Sequence, residues 1–255
     1  MKHIINIDRD KCIGCRKCVK DCLLYNIYIK DEKAYIKSQK CIKCGHCVAV
    51  CPVNAVSISG YIEEPIDIKN MKRINSQELL NSIISRRSIR QFKDMKVSEA
   101  FINKIIEAGR WSPTGRNAQD VSYIVIRDNL KSLQDIAVKK FRRILKIIKP
   151  FSSTFKEMEI DDDFFFKKAP LVIVILAGND VDGALAASNM ALMAESLGLG
   201  VLYSGFFTYA VKFSHKLKKI MGIKDKKIVT TLVIGYADVQ YERSVQKEDA
   251  LVKYM

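Results

Sequence analysis

The chain has 255 residues, of which 48% are hydrophobic and 28% charged, a composition typical of a soluble globular protein. Its longest apolar stretch, residues 169–178, is about half the ~20 residues that a membrane-spanning helix needs, and no apolar run at the start resembles a signal peptide, so we expect a cytoplasmic protein without membrane association. Lys and Arg exceed Asp and Glu by 15 (43 − 28), but no binding motif accompanies this charge, and we expect no nucleic-acid partner.

Two cysteine runs dominate the N-terminal part of the chain. All eight cysteines lie between positions 12 and 51, as C-x2-C-x2-C-x3-C twice, at an offset of 29 residues. The same offset matches apolar residues outside the runs, such as Ile7 with Ile36 and Ile29 with Ile58. The pattern therefore predicts two copies of one metal-binding unit.

The spacing within each run suits a [4Fe–4S] cubane. Three thiolates two residues apart can bind three irons from one tight loop, and we expect the fourth cysteine to begin a short helix that points to the other cluster. Gly14 and Gly45 relieve crowding where the backbone passes the metal. The predicted ligand sets are Cys12, Cys15, Cys18 and Cys51 for one cluster, and Cys41, Cys44, Cys47 and Cys22 for the second.

Structural zinc and disulfides are the alternatives for these cysteines. Zinc sites use longer gaps between CxxC pairs, and disulfides need an oxidising compartment, which nothing else in the sequence supports. Residues 3–60 resemble bacterial-type 2[4Fe–4S] ferredoxins, although Leu23 follows Cys22 where such proteins often have proline. His46 lies inside a cysteine run, but four cysteines already serve each cluster, so we expect it to face solvent.

Residues 61–75 contain Pro65 and have no steady hydrophobic period. We therefore predict a ferredoxin domain at 1–60, a linker at 61–75 and a second domain at 76–255. Hydrophobic periodicity gives the second domain a mixed, α+β pattern. The predicted elements are a helix capped by Ser76 with Leu79, Leu80, Ile83 and Ile84 facing inward, a helix over 97–108, strands over 121–126, 171–176 and 228–234, and a helix over 182–197 closed by Gly198.

Two segments between these elements permit more than one interpretation. Residues 139–149 form a basic amphipathic helix, which favours packing on its own domain over a membrane surface. Residues 161–166, three aspartates followed by three phenylalanines, predict either a capped helix in the core or an aromatic substrate lid.

Three further segments carry polar chemistry. Residues 85–92 place three arginines and a serine within five positions, a good cradle for a phosphate and a polar, sugar-like chain. Residues 111–119 form a turn rich in small and amide side chains, and residues 198–206 join a helix end to a strand-like run through glycines. Each segment alone is a weak signal.

In this order and at these separations, the three segments closely resemble the FMN-dependent nitroreductase family over residues 76–255. The resemblance implies homodimers with two FMN at the interface and no catalytic side chain, since the reactive centre is the flavin N5. The chain departs from the family at Asp120, where the family often has proline. The implied FMN-binding residues are Arg86, Arg87, Ser88 and Arg90, then Pro113, Thr114 and Asn117 from the partner subunit, Ser204 and Gly205 beside N5, and Arg243 at the phosphate.

Together the two halves predict an iron–sulfur flavoprotein. An external donor, reduced ferredoxin or NAD(P)H, would supply electrons through two [4Fe–4S] clusters to FMN, which would reduce an electron-poor acceptor such as a nitroaromatic, a quinone or an activated alkene. An electron-transfer adaptor between redox proteins is the main alternative, and a redox or oxygen sensor a further one. Anionic cofactors account for part of the basic charge, and the remainder suits acidic redox partners or anionic substrates.

Overall fold

The computed structural model describes residues 3–153 and 155–255. The chain divides into a first unit, Met1–Arg73 with Gly115–Ala118, and a second unit, Ile74–Thr114 with Gln119–Met255. No helix or strand lies between residues 59 and 75, all of which are described. The boundaries at 60 and 76 drawn from the sequence stay a prediction.

The internal repeat of the first unit appears directly in its secondary structure. Its elements are β1 (Ile5–Ile7), α1 (Lys17–Lys20), β2 (Ile27–Lys30), β3 (Lys33–Ile36), α2 (His46–Ala49) and β4 (Val56–Ile58). Elements β3, α2 and β4 follow β1, α1 and β2 at the offset of 29 residues seen in the sequence. Strand β1 pairs antiparallel with β4, and β2 pairs antiparallel with β3, so each pair joins one strand from each repeat.

The short helices of the first unit differ from expectation. We expected the fourth cysteine of each run to begin a helix, and this is wrong: α1 and α2 instead carry the third cysteines, Cys18 and Cys47, and end before the fourth. The reason is that Arg16 (φ 62°) and Gly45 (φ 78°) turn the chain into the left-handed region immediately before each helix. Each helix therefore begins one residue after this turn.

The two equivalent loop glycines of the first unit provide a matched pair for a stability test. Both have positive φ, +65° at Gly14 and +78° at Gly45, so alanine costs about 1–2 kcal/mol at either. A Cβ on Gly14 would also lie 2.2 Å from the Glu32 carbonyl oxygen, whereas one on Gly45 would meet no atom within 4 Å. We expect Gly14→Ala to lower the thermal midpoint of the first unit clearly more than Gly45→Ala; equal losses would contradict the packing at Gly14.

The second unit is built around a four-stranded antiparallel sheet of order β5-β6-β8-β7. Helices cover both faces of this sheet. Its elements are α3 (Ser76–Ser85), α4 (Glu99–Arg110), β5 (Ser122–Ile126), α5 (Leu130–Ile148), β6 (Leu171–Ala177), α6 (Asp180–Ser196), β7 (Gly200–Tyr203), α7 (Gly205–Lys212), α8 (His215–Ile220) and β8 (Lys227–Gly235). The strands predicted over 121–126, 171–176 and 228–234 are confirmed as β5, β6 and β8, and the helices over 97–108 and 182–197 as α4 and α6.

Strand β6 shows why both faces of the sheet need a helical cover. All seven of its residues are buried, and alternate residues point to opposite sides. Ile173 and Ile175 pack in the cluster that contains residues of α4 and α6, whereas Val172 and Val174 pack in the cluster formed with α5, α7 and α8. A continuous apolar run therefore forms the centre of two cores.

The first helix of the second unit is confirmed, but its predicted N-cap is wrong, and of the four residues expected to face inward only Leu79 is half-buried. The N-cap is Asn75, whose Oδ1 accepts from the backbone N–H groups of Gln77 (2.8 Å) and Glu78 (3.2 Å), and not Ser76. Leu80, Ile83 and Ile84 are 48%, 50% and 48% exposed. The helix periodicity was right, but the described chain covers only about half of this apolar face.

The segment after α5 contains no helix at residues 161–166. The Asp161 carboxylate accepts from the Asp163 N–H (2.9 Å), which forms a local turn, and the left-handed φ angles of Lys167 and Lys168 follow it. Phe165 and Phe166 are nevertheless buried in the core. The expected helix is wrong, and the expected burial holds for these two rings. Within the described ranges, no helix combines the length and apolarity that crossing a membrane requires.

Candidate functional site

Four cysteines from both repeats meet in the first unit. A cavity is lined by Cys12, Cys15 and Cys18 of the first run together with Cys51 of the second. Apolar side chains, including Val53 and Val56, complete its wall. This is the crossed arrangement expected when the last cysteine of one run serves the loop of the other. Among the described residues, no three His, Cys, Asp or Glu side chains form a site for a single metal ion.

Backbone N–H groups point at the cysteine sulfurs. Ala34 N–H donates to Cys12 Sγ (3.4 Å), Ala55 N–H to Cys51 Sγ (3.2 Å) and Asn26 N–H to Cys22 Sγ (3.3 Å). Such bonds stabilise negative charge on sulfur and raise the reduction potential of a bound cluster. The sulfurs are therefore held in surroundings that suit metal-bound thiolates.

Burial acts on these thiols in the opposite direction. It raises the pKa of Cys47 to about 11. Burial also raises the pKa of Cys18, and the neighbouring thiols of Cys12, Cys15 and Cys51 raise it further. Metal binding must displace these protons, so ligation and thiolate formation are coupled. Cys44 is exposed, whereas Cys22 and Cys41 are half-buried. His46 is exposed as expected, with Nδ1 3.2 Å from an Asp21 carboxylate oxygen.

In the second unit, the arginine-rich segment after α3 lies beside strand β7. Ser88 forms a parallel bridge with Val201, and Ile89 N–H donates to the Val201 carbonyl (3.1 Å). The Arg86 guanidinium carbon lies 5.9 Å from the centre of the Tyr203 ring. The structure thus brings Arg86 and Ser88 to the strand that leads into Ser204 and Gly205.

Two nitrogens of this segment are buried without a partner in the described chain, namely Arg86 Nη1 and Arg87 Nε. Arg87 also donates through Nη1 to the Ile84 carbonyl (3.0 Å), so its side chain is partly fixed. Buried donors without acceptors are costly and rare. These two nitrogens are therefore available for an anionic ligand.

A carboxylate missed in the sequence lies near Arg86. Glu195, at the end of α6, has a buried Oε1 atom without a hydrogen-bond partner in the described chain. Burial raises the pKa of Glu195, and the positive charge of Arg86 opposes this increase. The sequence feature that could have indicated Glu195 is a single acidic residue among the small and apolar residues near the C-terminal end of a helix.

Ser204 and Gly205 differ in whether their polar groups already have hydrogen-bond partners and in the space around them. Ser204 is buried, with its N–H donating to the Thr231 carbonyl (2.9 Å) and its hydroxyl to the Phe165 carbonyl (3.1 Å). A Cβ on Gly205 would meet nothing within 4 Å. Gly205 is the first residue of α7, so its N–H has no partner within the helix. The open position is therefore Gly205.

The loop that follows α4 is divided between the two units. In the second unit, Thr114 Oγ1 accepts from Gln119 N–H (3.0 Å). In the first unit, Asn117 adopts a left-handed φ of 54° and donates through Nδ2 to the carbonyls of Ile42 (3.2 Å) and Lys43 (3.0 Å). Pro113 directly precedes Thr114 and belongs to the second unit.

Asp120, which departs from the family pattern, has a structural use in the second unit: its Oδ2 accepts from Gly178 N–H (2.9 Å). Two other predicted residues, Arg90 and Arg243, are exposed. Arg243 lies in the C-terminal stretch after β8, which contains no helix or strand.

Models of two protein families match the chain. A model described as the nitroreductase family matches residues 83–236, which is more than half of the chain. The chain belongs to the nitroreductase family. A second model, the 4Fe-4S dicluster domain, matches residues 4–52, so this nitroreductase-family protein carries an N-terminal dicluster domain, and zinc and disulfides are set aside.

Three curated relatives each match a part of the chain. Two archaeal proteins named "Putative NADH dehydrogenase/NAD(P)H nitroreductase" are 26% identical over 144 residues (Methanothermobacter thermautotrophicus; 53% of this chain, 64% of the relative) and 28% identical over 171 residues (Archaeoglobus fulgidus; 63% and 86%). The chain thus spans less than two thirds of the first relative's length. A component of the ion-translocating oxidoreductase complex of Methanosarcina acetivorans is 45% identical over 47 residues, 18% of either chain.

Solved structures agree on the fold of the second unit. A nitroreductase with bound FMN from Desulfitobacterium hafniense superposes with a TM-score of 0.58 and 23% identity, covering 72% of this chain and all of that one. A second, from Bacteroides fragilis, gives a TM-score of 0.56 and 19% identity over 69% of this chain and 99% of that one. The predicted combination of a ferredoxin-like domain and a nitroreductase-like α+β fold is confirmed.

Proposed function

We propose that this nitroreductase-family protein is an FMN-dependent oxidoreductase that takes electrons from an external donor through two [4Fe–4S] clusters and reduces an electron-poor small acceptor. The observation that carries the proposal is the pairing of two incomplete sites in one chain. One is a cavity lined by four cysteines, and the other is a pair of buried arginine nitrogens without acceptors. Four thiolates are the ligands that a [4Fe–4S] cluster needs, and arginine N–H donors suit the phosphate of FMN.

The cysteine geometry supports the cluster assignment. The cavity with Cys12, Cys15, Cys18 and Cys51 fits one cluster, and the N–H groups directed at Cys12 and Cys51 would stabilise its charge. By the repeat, the second cluster would be held by Cys41, Cys44, Cys47 and Cys22, the last of which also accepts an N–H bond. The number of clusters is therefore two in this proposal.

The flavin assignment is supported by the chemistry of the second unit. The unpartnered nitrogens of Arg86 and Arg87 fit the phosphate or the polar chain of FMN, with Ser88 held next to them by its pairing with Val201. We assign Arg90, Pro113, Thr114, Asn117 and Arg243 to the flavin on the family resemblance alone. Of the two residues proposed at N5, Gly205 is better placed as a donor because the Ser204 N–H already binds Thr231.

When bound, the clusters supply single electrons and FMN supplies two-electron reduction of nitroaromatic, quinone or activated-alkene acceptors. The protein contributes orientation and charge. Gly205 presents its N–H group from the start of α7, and the absence of a side chain there leaves space above it. The Arg86 guanidinium, stacked on Tyr203, would fix the anionic end of the flavin.

A homodimer follows from the same proposal. The face of α3 formed by Leu80, Ile83 and Ile84 is apolar and exposed in the single chain. Exposed apolar faces of this kind often mark interfaces, and a second subunit with FMN at the interface would shield this one from water. NAD(P)H and reduced ferredoxin both remain candidate donors, the former also because of the names of the archaeal relatives.

Anaerobic stopped-flow measurements on the purified holoprotein test the proposal. NADH, NADPH and reduced ferredoxin are mixed separately with the protein, and flavin and cluster absorbance are followed at different wavelengths. We expect at least one donor to bleach clusters and then flavin, and the nitroaromatic nitrofurazone or the quinone menadione to reverse both. Protein that contains no FMN, or reduced protein that neither acceptor reoxidises, would contradict the proposal.

A further inference from the structure

A basic groove runs along α5 beside the start of α8 in the second unit. It has a volume of about 1100 Å³, and its lining contains five cationic residues and a single acidic residue. The cationic residues are Lys131, Lys139, Lys140, Arg143 and Lys216, and the acidic residue is Asp135. The groove therefore presents a strong local excess of positive charge.

Three of these cations do not stabilise the described fold through ion pairs or side-chain hydrogen bonds. Lys139, Arg143 and Lys216 are exposed and form no ion pair or side-chain hydrogen bond with any described residue. The adjacent Arg142, by contrast, donates to the Ile160 carbonyl (2.9 Å) and to an Asp162 carboxylate oxygen (2.9 Å). Lys139 and Arg143 are four residues apart on one helix, where like charges destabilise the helix. Their charge is therefore available to an external anion.

The shape of the groove favours an acidic protein surface as that anion. A small anionic ligand is usually enclosed by converging buried groups, whereas four of the five cations are exposed and the cations of α5 extend from Lys131 to Arg143 over about 18 Å of helix. None of the lining residues is aromatic, so a single-stranded nucleic acid would find no stacking platform. A second copy docked symmetrically would bring the same basic surface against itself.

Helix α5 connects the groove to the segment proposed for the flavin. Phe141, on the core-facing side of α5, meets the Phe206 ring edge-on with 6.2 Å between ring centres. Phe206 directly follows Gly205 and is 42% exposed. The groove lies on the other side of α5, so the helix and this aromatic pair would separate a protein seated there from Gly205.

We propose that this groove docks an acidic one-electron carrier protein, which takes electrons from the reduced flavin domain. The inference rests on the proposed function and adds a protein acceptor to the small ones. Two oxidised carriers each gain one electron, and release of two protons to solvent balances the two-electron oxidation of the holoprotein. Complementary charge would speed the encounter and make it sensitive to salt.

The test uses two haem proteins of opposite charge as probes. Holoprotein reduced with stoichiometric dithionite is mixed anaerobically with oxidised cytochrome b5, which is acidic, or with oxidised cytochrome c, which is basic. We expect the second-order rate constant with cytochrome b5 to fall as ionic strength increases. The triple variant Lys139→Glu/Arg143→Glu/Lys216→Glu should lower it about tenfold or more at low salt and should accelerate the reaction with cytochrome c.

A matched triple variant, Lys224→Glu/Lys247→Glu/Lys253→Glu, makes the same change in net charge at exposed positions outside the groove. It should keep most of the wild-type rate with cytochrome b5. Equal rates in the two triple variants would overturn the docking site. The docking site would also be overturned if the groove variant changed the oligomeric state in sedimentation. The same holds if it lost binding of an oligonucleotide or of anionic vesicles while its cytochrome b5 kinetics stayed unchanged.

Menadione separates this inference from the proposed function. Its turnover should be the same in the wild type and both triple variants, because it is small and uncharged. Normal menadione turnover combined with cytochrome b5 rates that are insensitive to the groove would refute the docking site alone. Absence of turnover with both menadione and nitrofurazone in wild-type holoprotein would instead count against the proposed function.

Discussion

Replacing Cys44 with alanine should remove one cluster and lower the rate of flavin reduction by reduced ferredoxin at least a hundredfold, while dithionite still reduces the flavin. Cys44 is a proposed ligand of the second cluster, and a three-cysteine loop that loses one thiolate no longer completes a four-ligand site. Because Cys44 is exposed, alanine leaves no cavity in the core of the first unit. Cys47 is buried, so the equivalent change there would mix ligand loss with lost packing.

His46→Ala provides the matched control for this change. His46 lies between Cys44 and Cys47, is exposed, and has only its contact with Asp21 to lose. We expect this variant to keep its full iron content and ferredoxin-driven rate, whereas Cys44→Ala should retain about half of the iron. Ferredoxin-driven flavin reduction at the wild-type rate by protein that has lost half of its iron would rule out electron transfer through the clusters.

The internal repeat of the first unit could be predicted because its information is local. Cysteine spacing fixes which sulfurs can share a loop, and the offset of 29 residues fixes the repeat of strands and helices. The position of the short helices was missed because it depends on single backbone angles at Arg16 and Gly45, which sequence periodicity does not report.

In the second unit, periodicity predicted the helices α3, α4 and α6 but not what covers them. Helix α3 has the pattern of a buried face, yet Leu80, Ile83 and Ile84 are about half exposed in the described chain. The aspartates before Phe164 were similarly ambiguous, since side chains that cap a helix can also form a turn. Such choices depend on tertiary neighbours.

The candidate flavin site shows the same division. Segments 85–92 and 198–206 were identified from their residue types, and the structure brings them together through the Ser88–Val201 bridge. The proximity of Glu195 to Arg86 was invisible in the sequence, because more than a hundred positions separate them. Motifs report which groups are present, whereas pairing between motifs is set by the packing of α6 and β7.

Arg86→Ala should weaken FMN binding about 10- to 100-fold. Arg86 has a buried Nη1 atom without an acceptor, and a hydrogen bond to a charged group contributes about 1.5–3 kcal/mol. Arg86→Lys keeps the charge but loses the planar fork and should give an intermediate loss. Arg127→Ala, at an arginine whose ion pair with Glu99 is exposed, should bind FMN as the wild type does. Fluorescence titration of apoprotein with FMN measures all three affinities.

The proximity of Glu195 makes a second measurement necessary. Removing Arg86 leaves the half-buried Glu195 carboxylate without the cation that opposes its raised pKa, so Arg86→Ala alone should also destabilise the apoprotein at neutral pH. Adding Glu195→Gln removes this partly buried charge, so the double variant should recover thermal stability without recovering FMN affinity. If the stable double variant bound FMN like the wild type, Arg86 would act only as the counter-ion of Glu195 and not as a flavin ligand.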